Sequence, residues 1–115
     1  MKIYKKKEKQ TASGFGYWGD FGEIDMGWSY GEITDNSTFP GEKLHYHKVG
    51  TIYFLGLEGT GLLEVEGNQV ELDKGSLLRI DPNEKYKVIG AKDTPFKYIA
   101  VCTSKDPKEK VIVEK

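Results

Sequence analysis

His45 and His47 are the only histidines in the chain, and both lie in the stretch "KLHYHKVGTIYFLGLEGTG", Lys43 to Gly61. Residues two apart on a strand point to the same side, so the two imidazoles project together with Cα atoms about 7 Å apart. Three uses fit that placement. Two imidazoles can converge on one ion if further ligands arrive from elsewhere, at about 2.0–2.2 Å for zinc, or as a carboxylate for non-haem iron. An imidazole titrates near neutrality and can act as a general base beside a proton donor. A buried pair can also simply line a ligand pocket or pack.

Whichever applies, the remaining groups must come from other segments, which turns attention to the elements that carry them. The chain has 115 residues, enough for one domain and one principal core. Fourteen glycines and short β-branched or aromatic runs separated by turn signals predict an all-β domain. The expected strands are "WSYGEIT", "KLHYH", "TIYFLGL", "GLLEVEG", "QVEL", "SLLRI", "KYKVIG", "FKYIAVC" and "VIVE". Gly67-Asn68 is the expected two-residue hairpin turn, with further turns at Asp73-Lys74-Gly75 and Asp81-Pro82-Asn83. Short antiparallel strands at this spacing make a sandwich or barrel.

Composition removes several function classes. Lys and Arg total 17 against 18 Asp and Glu, a net charge of −1, so no basic footprint for nucleic acid exists. The lysine runs "KIYKKKEK" and "KDPKEK" are interleaved with acids and read as solvated segments. No apolar stretch approaches the roughly 18 residues that span a bilayer, and the N-terminus lacks the apolar middle of a signal peptide, so a cytoplasmic protein is expected. Cys102, the single cysteine, lies in the apolar run "KYIAVCT" and reads as a small buried hydrophobe.

Residues 1–27 read as an irregular segment packing on a barrel formed by residues 28–115. Within it, Gly14-Phe15-Gly16-Tyr17-Trp18-Gly19 matches the dinucleotide pattern G-x-G-x-x-G, but no strand feeding a helix surrounds it, so the match is accidental. Tyr17, Trp18 and Phe21 are expected to cover one end of the barrel or pack between subunits.

From about Trp28 onward the sequence resembles the cupin superfamily, small antiparallel β-barrels of jelly-roll kind. "PGEKLHYHKVGTIYFLGLEGTG" stands for the family's first motif, roughly G-x5-H-x-H-x3-4-E-x6-G, and closes at Gly59. "GSLLRIDPNEKYKVIG" stands for the second, roughly G-x5-P-x-G-x2-H, and opens at Gly75. The resemblance implies a single-domain barrel with a pocket centred on His45 and His47, and a homodimer. Tyr53, Leu55 and Leu57, on the face opposite the pocket, are the surplus apolar residues such a dimer would bury.

Family members that bind an ion use three histidines and a glutamate. Here the glutamate position falls on Ile52, or on Thr51 after a one-residue shift, and the third histidine falls on Tyr86. Three functional readings follow from the resemblance. A divalent ion (zinc, iron, manganese or nickel) could sit on His45 and His47 with a substitute ligand such as Tyr86. A histidine could instead be the base and Tyr86 the acid, as in metal-free sugar epimerases and keto-isomerases of this superfamily, some of which carry H-x-H followed by lysine, as His45-Tyr46-His47-Lys48 does. Arg79, the only arginine, would then meet a substrate diphosphate. In the third reading, Ile52 and Phe54 join His45, His47 and Tyr86 in a pocket for a small molecule, such as a carbohydrate. Glu32, on the strand before the first motif, could supply the missing carboxylate if it points inward.

Overall fold

The computed structural model describes residues 1–9, 14–19, 23–39 and 41–113. Among them are nine strands: β1 (Lys6–Glu8), β2 (Gly16–Trp18), β3 (Gly27–Ile33), β4 (His45–His47), β5 (Ile52–Val65), β6 (Asn68–Asp73), β7 (Leu77–Ile80), β8 (Tyr86–Cys102) and β9 (Lys110–Ile112). The described residues contain no α-helix, only a 3-10 turn at Pro107–Glu109.

The architecture follows from two long strands. β5 and β8 run antiparallel over their whole lengths, with Ile52 opposite Cys102 at one end and Val65 opposite Tyr86 at the other. Their outer partners change midway. Ile52–Leu55 pair with β7 and Thr60–Val65 with β6, while Phe96–Cys102 pair with β3 and Tyr86 pairs with His45 of β4. The long strands are thus shared by two sheets, β1-β2-β3-β8-β5-β7 and β9-β4-β8-β5-β6, which close on each other as a jelly-roll barrel. The core draws on both: Ile33, Ile52, Phe54, Ile80 and Phe96 from the first, Leu63, Leu72, Tyr86 and Val88 from the second.

Sequence reading divides each long strand in two, at "TIYFLGL" and "GLLEVEG" and at "KYKVIG" and "FKYIAVC", whereas the structure joins each pair. The reason is the stretch Gly56 to Gly61, where register shifts let β5 bend from one sheet to the other without ending the ladder. Gly59 sits at φ +71°, and a Cβ there would lie 2.2 Å from the Pro95 carbonyl oxygen. The hairpin turn is also one residue earlier than expected. Val65 pairs with Asn68, and Glu66 and Gly67 occupy positive φ, so the pair of residues at the corner is Glu66-Gly67.

β1 and β2 fall within residues 1–27 and continue the first sheet outward, Trp18 lying opposite Trp28. Gly16-Tyr17-Trp18 is therefore strand, and no helix follows it among the described residues. Tyr17 and Trp18 border the cavity described below; Phe21 lies outside the described residues. No helix among the described residues is long and apolar enough to cross a membrane.

Candidate functional site

Pairing of His45 with Tyr86 in the second sheet, opposite Ile52, Phe54, Ala100 and Cys102 of the first, leaves a cavity of about 690 Å³ between the layers. That volume lies in the range of small-molecule sites. His45, His47, Tyr86, Ile52 and Phe54 all line it, as the alternation of β4, β5 and β8 requires. Two other expected residues do not. Glu32 lies on the other face of β3, where it accepts a hydrogen bond from Tyr30 Oη at 3.1 Å, because the inward parity belongs to Gly31 and Ile33. Arg79 is exposed on β7 and pairs with Asp81 at 3.0 Å, since its neighbours Leu78 and Ile80 take the inward positions.

The carboxylate that the strands lack comes from the 3-10 turn. Asp106 caps that turn by accepting from Lys108 N, Pro107 starts it, and Glu109 follows three residues after the cap. Glu109 turns into the barrel, where only 6 % of it is exposed. Its Oε1 accepts from the backbone amides of Gly50 at 2.6 Å and Val49 at 3.3 Å, and its Oε2 pairs with His47 Nδ1. The other nitrogen, His47 Nε2, lies 2.9 Å from Tyr86 Oη. A carboxylate only accepts, so Nδ1 carries a proton, and in the neutral imidazole Nε2 then holds the lone pair to which Tyr86 donates. Burial first, then nearby Glu42, pushes the Tyr86 phenol well above its ordinary range, so it stays protonated at neutral pH. Glu109, His47 and Tyr86 therefore form a connected carboxylate, base and acid.

"KDPKEK", expected to be solvated throughout, thus contributes a buried side chain. The signal available in the sequence was Asp106-Pro107 with an acid three residues after Asp106, the mark of a short capped turn. Cys102 also differs from expectation. It is half-buried against the cavity, with Sγ 3.8 Å from His47 Nδ1, and burial pushes its thiol up.

His45 has a separate environment. Its Nδ1 donates to the Lys43 carbonyl at 2.7 Å, which leaves the Nε2 lone pair 3.5 Å from Glu42 Oε1. The other Glu42 oxygen accepts from Val88 N at 2.8 Å. Burial raises the Glu42 carboxyl and depresses His45 to about 4, driving both toward their neutral forms. Because the fold lowers this histidine's pKa from 6.5, its contribution to stability is complete above pH 6.5 and is lost as pH falls toward 4. The loss is at most about 3 kcal/mol, partly offset by Glu42, whose raised pKa favours the fold on protonation. In metal-free protein, His45→Gln should flatten the acid limb of stability measured by urea unfolding between pH 6.5 and 4. An unchanged slope would assign that limb to other groups.

The four-ligand metal centre implied by the family resemblance does not fit these residues. Ile52 offers no donor atom, Tyr86 Oη and His47 Nε2 are committed to each other, and His45 Nδ1 is committed to the Lys43 carbonyl. A different group could hold an ion: His47, Cys102 and Glu109 bring one ligand atom each within 4.8 Å of one another, and His45 is not among them.

A family model described as "Cupin domain" matches residues 37–102. A search of curated proteins finds no match. Among solved structures, the chain is similar to Pac13, described as a unique nucleoside dehydratase, with a TM-score of 0.76 and 11% identity over 99% of this chain and 92% of that one. Streptomyces Pac13 variants have also been solved with uridine. A cupin protein from Bacteroides fragilis gives a TM-score of 0.64 and 24% identity over 89% of this chain and 85% of that one. KdgF from Halomonas sp. gives 0.66 and 10%, covering 85% and 84%. At these identities the likeness establishes the barrel.

Proposed function

This chain belongs to the cupin domain family, and from that starting point we propose that it is a proton-transfer enzyme acting beside a carbonyl of a sugar-derived small molecule. The observation that carries the reading is the connected Glu109, His47 and Tyr86 chain facing a cavity of about 690 Å³. Glu109 holds His47 in the tautomer whose Nε2 is basic. Rotation of the Tyr86 O–H toward a substrate oxygen uncovers Nε2 and places a donor at the site of developing charge. His47 then removes the proton from the carbon next to the carbonyl, and the electron pair moves into the carbonyl, giving an enolate that Tyr86 stabilises. Return of the proton to carbon gives epimerisation or isomerisation. Departure of a β-hydroxyl, protonated by Tyr86, gives water and an unsaturated product. The second outcome has a parallel in the barrel of the nucleoside dehydratase, which supports a nucleoside or sugar as the substrate class.

The test is solvent exchange. Nucleosides carrying a carbonyl and keto-sugars, incubated with the protein in deuterated water, should gain deuterium at the carbon beside the carbonyl, followed by proton magnetic resonance. Tyr86→Phe keeps the ring and removes the donor, so exchange should fall by roughly 10²–10⁴-fold with little change in melting temperature. Equal exchange in the variant would remove Tyr86 from the chemistry, and no exchange with any member of the class would remove the reading.

We carry the homodimer over as part of the same proposal. Ile52 and Phe54 point inward, so Tyr53 and Leu55 alternate outward, and Leu55 sits opposite exposed Leu77, while Leu57 is half-buried at the register shift between Gly56 and Glu58. An outward face of this kind supports self-association.

A further inference from the structure

We propose that His47, Cys102 and Glu109 form a binding site for a zinc-class divalent ion, distinct in its ligands from the family's histidine and glutamate set, and that filling it switches the proton relay off. The switching half rests on the acid–base reading above; the binding half does not.

The donor set comes first. One imidazole nitrogen, one sulfur and one carboxylate oxygen suit a borderline ion such as zinc and disfavour magnesium or calcium, which take oxygen ligands. Geometry follows. His47 Nδ1 and Cys102 Sγ are 3.8 Å apart, close to the roughly 3.5 Å expected between tetrahedral ligands at zinc–nitrogen and zinc–sulfur distances of about 2.0 and 2.3 Å. Glu109 points Oε2 at the same Nδ1 while backbone amides of Gly50 and Val49 hold Oε1, so the outer support of a ligating carboxylate is already built.

An independent observation concerns Gly50, which is buried. A Cβ at this position would lie 2.7 Å from Cys102 Sγ and 2.8 Å from Glu109 Oε1. The absence of a side chain there lets thiol and carboxylate approach His47 Nδ1 together while the Gly50 amide holds the carboxylate. Tyr86 faces the opposite nitrogen of His47.

Filling the site changes the relay in a defined way. An ion on Nδ1 displaces the proton that Glu109 now accepts, and the neutral imidazole carries its proton on Nε2 instead. Nε2–H then donates to the Tyr86 oxygen, and no lone pair remains to act as base. The Cys102 thiol releases its proton to solvent as it ligates. Nothing is oxidised or reduced.

Cobalt(II) titrated into the metal-free full-length chain is the direct probe. The expected result is one equivalent bound with a near-ultraviolet thiolate-to-cobalt absorption. Zinc should abolish that band by displacement, and Cys102→Ser should remove it and weaken binding at least tenfold. Absence of the band, or affinity unchanged in Cys102→Ser, would overturn the site. Deuterium exchange separates the two readings. A cobalt band without exchange activity in metal-free protein leaves the site standing and removes the relay, whereas exchange without a band does the reverse. Zinc that binds at Cys102 yet leaves exchange unaltered would overturn the switch.

Discussion

Glu109→Gln is expected to lower proton exchange at the substrate carbon by roughly 10²–10⁴-fold while the chain still folds. Glutamine preserves the shape of the side chain, and its carbonyl can still accept from the Gly50 and Val49 amides. Its amide then faces His47 Nδ1, donor against donor. The pair recovers a hydrogen bond only if the imidazole proton moves to Nε2, which removes the lone pair that Tyr86 now occupies and the substrate proton would need. Stability should fall by about 1–3 kcal/mol, because a hydrogen bond to a buried charge is replaced by one between neutral groups. Nitrogen magnetic resonance reads the tautomer directly, with the proton moving from Nδ1 in the parent to Nε2 in the variant. Full activity with an unmoved proton would show that Glu109 is a structural clasp for the Val49 and Gly50 amides and nothing more.

What made this site only partly legible in the sequence is the way its members arrive. His45 and His47 share a face because strand geometry has a period of two, so the pair is readable from spacing, whereas Tyr86 is readable only through the resemblance to the family's second motif. Ile52 and Phe54 follow from the same alternation along β5. Glu109 follows from none of these. It lies 62 residues beyond His47, on a turn whose lysines keep the segment looking solvated, and its inward aim depends on β9 pairing with β4. Periodicity describes what one strand does with its own side chains; it does not say which distant turn a closed barrel lays across its mouth. Glu32 shows the same limit from the other side. Its strand was readable, but its parity was fixed only by β3 pairing with β8, which put Gly31 beneath the Tyr98 ring and Glu32 on the outer face.

The fold was more legible than the site because the "LEGTG" stretch serves backbone geometry, and that gives the largest expected effect on stability. Gly59→Ala should cost about 2–5 kcal/mol, the sum of a left-handed residue made non-glycine, about 1–2 kcal/mol, and an overpacked contact, about 1–3 kcal/mol. Both parts are specific to this position: φ is +71°, and the new Cβ would meet the carbonyl oxygens of Pro95 at 2.2 Å and Asp93 at 2.5 Å, which are backbone atoms that cannot rotate aside. Gly67→Ala is the matched control. Its φ is +80°, but nothing lies within 4 Å of the new Cβ, so only the conformational part applies. The melting temperature should therefore drop by roughly 10 °C or more for Gly59→Ala, and by only about 4–6 °C for Gly67→Ala. Equal drops would mean that β5 and β8 do not cross as closely as the bend requires. The consequence reaches the site, because this bend lets β5 present Ile52 and Phe54 in one sheet and Leu63 in the other, while β8 carries Tyr86 at one end and Cys102 at the other. A Gly59 variant that remains folded should thus weaken cobalt binding at Cys102 and proton exchange through Tyr86 together, although it touches neither residue.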